Sequence, residues 1–194
     1  MNEDEKITSK LYEYALDSFF YLSLLENIES IVRFGILPKN EVDRRGLISY
    51  SFANESVQEI RSKKPTRLNN GREVMLHDAV EVYLRLWSPT YFAALHQVAK
   101  PDRLVYMTID AKELLCDSSI NYAFCDGNAA SAATKFFHDL NDLDKLPELI
   151  KKDGKVYWID PPSQGLRRVD EEKKRQLNAE FIIYPSIPFP TVKK

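Results

Sequence analysis

A chain of 194 residues that is 44% hydrophobic and 29% charged can bury one sizeable core, and its net charge of −2 makes it neither a polycation nor a polyanion. With only 6 glycines and neither GxGxxG nor GxxxxGK[ST], the sequence excludes the glycine-rich phosphate cradles of Rossmann and P-loop proteins. Cys116 and Cys125 form no CxxC or disulfide framework, the N-terminal MNEDEKITSK is acidic and polar, and no apolar run is bilayer-length; free thiols, a cytoplasmic location, no secretory signal and no membrane span are expected.

In chain order, residues 6–16 have helical character, and Phe19 to Ser23 reads as a short buried strand. Glu26 to Phe34 carries Ile28, Ile31 and Val32 at helical spacing, with Gly35 placed as its C-terminal cap and Pro38 preventing continuation. Asn54 to Lys64 is a second helix, with Asn54 as N-cap and Val57, Ile60 and Arg61 along one side. Residues 65–72 read as a polar loop, and Val80 to Leu84 alternates as a strand.

Ser88-Pro89 opens a helix that Thr90 to Val98 continues. Leu104 to Ile109 is the clearest strand. A short helix at Ala111–Leu115 and an extended piece at Asn121–Phe124 follow, then a turn at Asp126-Gly127-Asn128. Helices are predicted over Ala129–Asn141 and around Leu143–Lys152, a strand over Val156–Ile159 ended by Pro161-Pro162, helix-forming composition over Arg167–Asn178, and a strand over Phe181–Tyr184. Short strands and helices mixed without a βαβ repeat indicate α+β, and with no evident linker residues 1–194 are expected to form a single domain.

His77, His96 and His138 are widely separated, and Asp139, Asp142 and Asp144 lack the calcium-loop spacing, so no metal site is expected. No nucleophile elbow is present. Cys125 beside Asp126-Gly127 is the one thiol nucleophile to consider, and cysteines of this kind are more often inert. Basic residues cluster at Arg61, Lys63, Lys64, Arg67 and Arg72, and again at Arg167, Arg168, Lys173, Lys174 and Arg175. Such loops suit a polyanion bound at one face and equally suit two solvated loops. Glu180, opening the last apolar run, reads locally either as a carboxylate placed to hold a sugar hydroxyl or as the solvated first residue of an edge strand.

Several segments stand in a fixed order: Tyr21-Leu22-Ser23, Asn27 to Ile31, Gly35-Ile36-Leu37, Ala53 to Arg61, Leu76-His77-Asp78 with Val82, Tyr83, Ser88-Pro89 and Tyr91 behind it, Asp126 to Ser131 with Asp139 to Leu146, and Ala179-Glu180-Phe181. Taken together, they resemble the DarT-type ADP-ribosyltransferases, toxins that attach ADP-ribose from NAD to bases of DNA. The resemblance lies in their order and spacing from Phe20 to about Pro190; each motif alone is weak.

That resemblance implies an ADP-ribosyltransferase-like α+β fold, with a split, mostly antiparallel central sheet flanked by short helices. It implies NAD as co-substrate without a metal, single-stranded DNA as acceptor, and a macrodomain antitoxin as partner. Glu180 and Arg61 then match the catalytic glutamate and arginine. Tyr21, Ser23, Asn27, Arg61, His77 and Tyr91 fall in segments that line the cofactor pocket. Lys63, Lys64, Arg67, Arg167 and Arg168 become candidates for the DNA backbone, and Trp87 or Tyr157 for base stacking. The chain departs from the family at Tyr21, where His is frequent, and at Asn178, where Gln is frequent two places before the glutamate. RNA, protein or water as acceptor, and an inactive nucleic-acid-binding module, stay open beside the DNA reading.

Overall fold

A computed structural model describes residues 2–97, 101–147, 149–152, 155–158 and 169–191. Helix α1 (Glu3–Glu13) begins where Asn2 and Glu5 satisfy each other's backbone N–H groups, a reciprocal cap. Strand β1 (Ser18–Leu24) follows, then α2 (Ile28–Phe34), ended by Gly35 at φ 78°. A side chain is excluded at Gly35 for a second reason: a Cβ there would lie 2.5 Å from the Ile187 carbonyl oxygen. Helix α3 (Lys39–Arg44), which periodicity did not announce, starts directly after Pro38.

Helix α4 (Glu55–Lys63) is capped by the Asn54 side chain on the Ser56 N–H, as its sequence predicts. Residues 65–72 are not simply a loop. Strands β2 (Pro65–Arg67) and β3 (Glu73–Met75) form a hairpin, with Thr66, Leu68 and Val74 turned inward beneath a polar exterior. Then come β4 (Val80–Tyr83), α5 (Pro89–Gln97), β5 (Leu104–Asp110), α6 (Ala111–Leu115) and β6 (Asn121–Cys125). The Ser88 hydroxyl takes the Tyr91 N–H at the start of α5; Val98 lies outside the described residues.

The predicted helix Ala129–Asn141 does not form. Side-chain acceptors capture the backbone instead: Asn128 Oδ1 takes the Ala130 N–H, Asp126 Oδ1 the Lys135 N–H, and Asp139 Oδ1 the Asn141 N–H. The segment becomes tight turns, a short strand β7 (Phe136–Phe137) and a 3-10 turn at Leu140–Lys145. The helix expected around Leu143–Lys152 is replaced by β8 (Leu149–Lys152), which pairs with β9 (Lys155–Trp158). Helix α7 (Glu171–Gln176) and β10 (Glu180–Tyr184) complete the chain; Pro161 and Pro162 lie outside the described residues.

Six strands form one sheet in the order β5-β1-β4-β10-β6-β7, and each strand is antiparallel to its neighbour. Strand β1 pairs with β5 along its length from Ser18 to Leu24, yet meets β4 at the single position Phe20↔Tyr83. The sheet is therefore nearly split there, as the resemblance implied.

Strand β10 lies in the middle of this sheet, covered on both faces, which explains its uninterrupted apolar run. Phe181 and Ile183 join Phe19, Val80, Val82 and Phe124 in the main core. Ile182 points the other way, into a smaller cluster with Leu76, Ala123, Cys125 and the hairpin residues Leu68 and Val74. Side chains alternate along a strand, so Glu180 shares the Ile182 face, the one that α4 and the hairpin cover. Glu180 is consequently no edge residue: it is 0% exposed.

Candidate active site

The only buried residue of α4 is Arg61, whereas Ile60, predicted to share its inward side, is 48% exposed. Burying a guanidinium costs several kcal/mol unless it is paired. Here Arg61 Nη2 donates to Glu180 Oε1 at 2.9 Å and to Oε2 at 3.1 Å. The Ala129 N–H donates to Glu180 Oε2 at 3.3 Å. On the guanidinium's other side, Nη1 lies 3.1 Å from Glu81 Oε1 on β4.

Burial raises the Glu180 carboxyl above its ordinary value, while Arg61 and the Ala129 N–H pull it back. Burial likewise pushes Glu81 up to about 7, aided by the Glu180 charge and opposed by Arg61. For Arg61, burial works against the charge, but the carboxylates of Glu180 and Glu81 outweigh it and hold the guanidinium protonated. The cluster thus consists of one obligatory cation between two acids whose charges burial disfavours.

The Asp126–Thr134 turn that supplies the Ala129 N–H is held from α7. Arg175 Nη1 donates to Asp126 Oδ1 at 2.7 Å and to Thr134 Oγ1 at 3.1 Å, while the Arg175 carbonyl accepts the Asn128 N–H at 3.0 Å. Asn178, two residues before the glutamate, accepts the N–H and hydroxyl of Thr90 through Oδ1, both at 3.1 Å. A cleft of about 1160 Å³ opens beside these groups, lined by Thr90, Phe92 and His96 of α5, by Asn128 and Ser131 of the turn, and by Asn178.

Gly127 lets Arg175 pass: an added Cβ would stand 2.3 Å from its Nη1 and 2.8 Å from its carbonyl oxygen. Gly127→Ala is therefore expected to destabilise the chain by about 1–3 kcal/mol through overpacking. It also displaces the Ala129 N–H, so thermal unfolding and turnover should fall together. Unchanged unfolding and turnover would show that the turn does not depend on this close approach.

The family model "DarT: ssDNA thymidine ADP-ribosyltransferase, DarT" matches residues 20–194. The chain belongs to the DarT family. A DNA ADP-ribosyl transferase–DNA ADP-ribosyl glycohydrolase fusion protein of Thermosipho africanus is 23% identical over 164 residues, which cover 84% of this chain and 38% of that protein. The chain therefore spans well under half the length of that curated relative.

Among solved structures, Thermus sp. 2.9 DarT in complex with ADP-ribosylated ssDNA superposes with a TM-score of 0.69 at 21% identity, over 92% of this chain and 79% of that one. The same Thermus protein in complex with NAD+ gives 0.64 at 20%, over 92% and 80%. Thermosipho africanus DarTG in complex with ADP-ribose gives 0.65 at 20%, over 91% and 43%. At these identities the superpositions carry the fold.

Within this DarT-family fold the other predicted residues fall into separate groups. Asn27 Nδ2 donates to Ser23 Oγ at 3.2 Å and to the Tyr50 carbonyl at 2.8 Å, and Asn27 Oδ1 accepts the Tyr50 N–H at 2.9 Å. Those two residues tie the segment before α4 to the end of β1. The Tyr21 phenol is pushed up to about 12 by burial and then by the Glu81 charge. His77 is buried with Nε2 3.0 Å from Gln58 Oε1 of α4, and burial followed by the Arg61 charge lowers its pKa, favouring the neutral ring. Tyr91 packs among Trp87, Phe92 and Tyr106.

Among the basic candidates, Lys63 is exposed and paired with Glu59, and Arg67 lies exposed on β2. Lys64 donates to the Ser131 carbonyl at 2.6 Å, bracing the turn beside the site. Arg167 and Arg168 lie outside the described residues, as does the side chain of Tyr157, whereas Trp87 is exposed. Cys125 is buried, its thiol raised by burial and donating to the Gly127 carbonyl, which does not suit a nucleophile.

Glu81 was not among the sequence candidates, while Ala129 stood there only within the Asp126–Ser131 segment and Arg175 only within the second basic cluster, neither with a role at Glu180. An acid between Val80 and Val82 was the available signal for Glu81, since alternation puts it on the face opposite the core. Nothing local foretold its pairing with Arg61. Among the described residues no group of three or more His, Cys, Asp or Glu is placed to hold a metal, and no helix is long and apolar enough to cross a membrane.

Proposed function

We propose that this chain transfers ADP-ribose from NAD to a thymidine base of single-stranded DNA. The observation that carries the reading is the buried Glu180–Arg61 pair, with a backbone N–H on the same carboxylate, in a chain the family model matches from residue 20 onward. The proposed setting is the cytoplasm, with residues 1–194 forming one transferase domain that acts as the toxin of a toxin–antitoxin pair. A macrodomain antitoxin as partner is supported by the Thermosipho relative, whose name joins a transferase to a glycohydrolase.

In the proposed chemistry, the bond from the ribose anomeric carbon to nicotinamide breaks with its electron pair leaving on nicotinamide. The ribose develops oxocarbenium character. A carboxylate held at the sugar stabilises that charge electrostatically, which is the role proposed for Glu180, together with holding the ribose 2′-hydroxyl. A nucleophilic atom of the base then bonds to the anomeric carbon, and the base gives up one proton. Arg61 is proposed to bind the cofactor's anionic portion or to favour the deprotonated base.

Tyr21, Ser23, Asn27, His77 and Tyr91 are proposed to shape the NAD pocket. Lys63, Lys64, Arg67, Arg167 and Arg168 are proposed to favour the DNA backbone, with Trp87 presenting a stacking face. The cleft bordered by Asn128 and Asn178 is open enough for an unpaired base to enter.

The test is incubation with NAD labelled in its adenylate phosphate, offered separately to thymidine-containing oligonucleotides, thymidine-free oligonucleotides, RNA and the protein itself. Label is expected on the thymidine-containing single strands alone. Label confined to RNA or protein, or release of free ADP-ribose without any oligonucleotide product, overturns the reading.

A further inference from the structure

Arg61 faces two acids, the fully buried Glu180 and the part-buried Glu81, and they approach different nitrogens. Both hydrogen bonds to Glu180 leave from Nη2, whereas Glu81 Oε1 stands 3.1 Å from Nη1. Strand register makes the arrangement possible: Glu180 pairs with Tyr83 and Ile182 with Glu81, so both acids project on the face covered by α4. Neither Glu81 Oε1 nor Arg61 Nε finds an aligned hydrogen-bond partner among the described residues.

Charge balance does not require Glu81. Glu180 alone neutralises Arg61, and a second, part-buried carboxylate leaves the trio with an excess negative charge. Replacing buried ionic groups by apolar ones is often neutral or stabilising, so stability gives no evident reason for an acid here. The reaction does. If Glu180 turns to a ribose hydroxyl, its bonds to Nη2 weaken, and a buried guanidinium with no other partner would move or shed its position.

We propose that Glu81 is a positioning residue for transfer: it anchors Arg61 through Nη1, so the guanidinium stays in register when the Glu180 carboxylate engages the sugar. The proposal rests on the transferase reading and goes beyond it by naming what holds Arg61 during turnover. The charged or titratable groups acting on Glu81 are Arg61 from α4, Glu180 from β10, Tyr21 from β1 and Tyr83 on its own strand. Burial lifts Glu81 to about 7, so the anchor is a carboxylate above that pH and takes a proton below it. The anchor fails as pH falls.

The experiment compares wild type, Glu81→Gln and Glu81→Asp in kcat and KM for NAD from about pH 6 to pH 9. Glu81→Gln is expected to lower kcat by about 10- to 100-fold at the alkaline end, as a misplaced positioning group does, with KM for NAD within about threefold. The acid limb of the wild-type profile should disappear with it. Glu81→Asp keeps a titrating carboxylate on a shorter arm, so its kcat should fall while the limb remains. Wild-type kcat in either variant, or an acid limb retained in Glu81→Gln, overturns the proposal.

A second measurement needs no turnover: the ¹⁵N–¹H resonances of the Arg61 guanidinium, observable when rotation is hindered, recorded in Glu180→Gln with and without Glu81→Gln. Hindered Nη1 signals that persist with Glu81 and vanish without it support the anchor; identical spectra refute it. Should the wild-type protein modify no acceptor, the transferase reading fails, and these spectra still decide what Glu81 does to Arg61.

Discussion

Glu180→Gln is expected to lower kcat for ADP-ribose transfer by about 10²- to 10³-fold, the scale seen when one preorganised electrostatic group is removed. Glutamine is the informative replacement because Glu180 is fully buried at the centre of the sheet, where a smaller residue would leave a cavity. Its amide oxygen can still accept the Ala129 N–H, and the Glu81 carboxylate remains beside Arg61. Removing a carboxylate that burial already disfavours relieves part of the lost ion pairing, so folding should survive. Single-turnover transfer measured alongside thermal unfolding separates chemistry from folding. Transfer within tenfold of wild type would remove Glu180 from the mechanism.

Arg61→Met has the larger expected effect on stability. It leaves the buried Glu180 and the part-buried Glu81 with their shared cation gone, and breaking a buried pair such as Arg61–Glu180 costs about 3–5 kcal/mol. The cost depends on pH, with a sign that follows from the shifts. Burial raises both carboxyls, and the lowering influence of Arg61 on each is removed by the substitution.

An acid whose folded pKa lies above its unfolded value contributes stability that is fully present below the unfolded pKa. That contribution is lost as pH rises through the folded pKa. The variant should therefore lose progressively more stability relative to wild type as pH rises from the ordinary carboxylate range through neutrality. Urea unfolding of both proteins at about pH 5 and pH 8 measures this, and transfer should be lost throughout. Equal destabilisation at both pH values would mean that Arg61 does not govern the ionisation of the two acids.

Local signals located most strands and several helix ends. Asn54 and Ser88 cap the helices that their side-chain chemistry favours, and Gly35 ends α2 in a backbone conformation that suits glycine. The Asp126–Lys145 region went wrong for the same kind of reason. Its alanines and leucines have helical composition, but Asp126, Asn128 and Asp139 bind nearby backbone N–H groups and hold the chain in turns. That failure matters to the site, because one of those turns presents the Ala129 N–H to Glu180. The β2–β3 hairpin was hidden similarly, its inward residues being outnumbered by polar ones.

By itself the sequence determined the α+β character, the capped helices and, through motif order, the family, with Glu180 and Arg61 singled out as separate matches to its motifs. Tertiary structure alone decided that Glu180 is interior. A first-position acid on an edge strand and one on a central strand are spelled alike, and which neighbours cover it depends on strand order, here β4 and β6. Tertiary structure also decided that Arg61 meets a second acid. Residues 61, 81 and 180 are distant in the chain, and only the antiparallel register of β4 with β10, under α4, puts one guanidinium between two carboxylates.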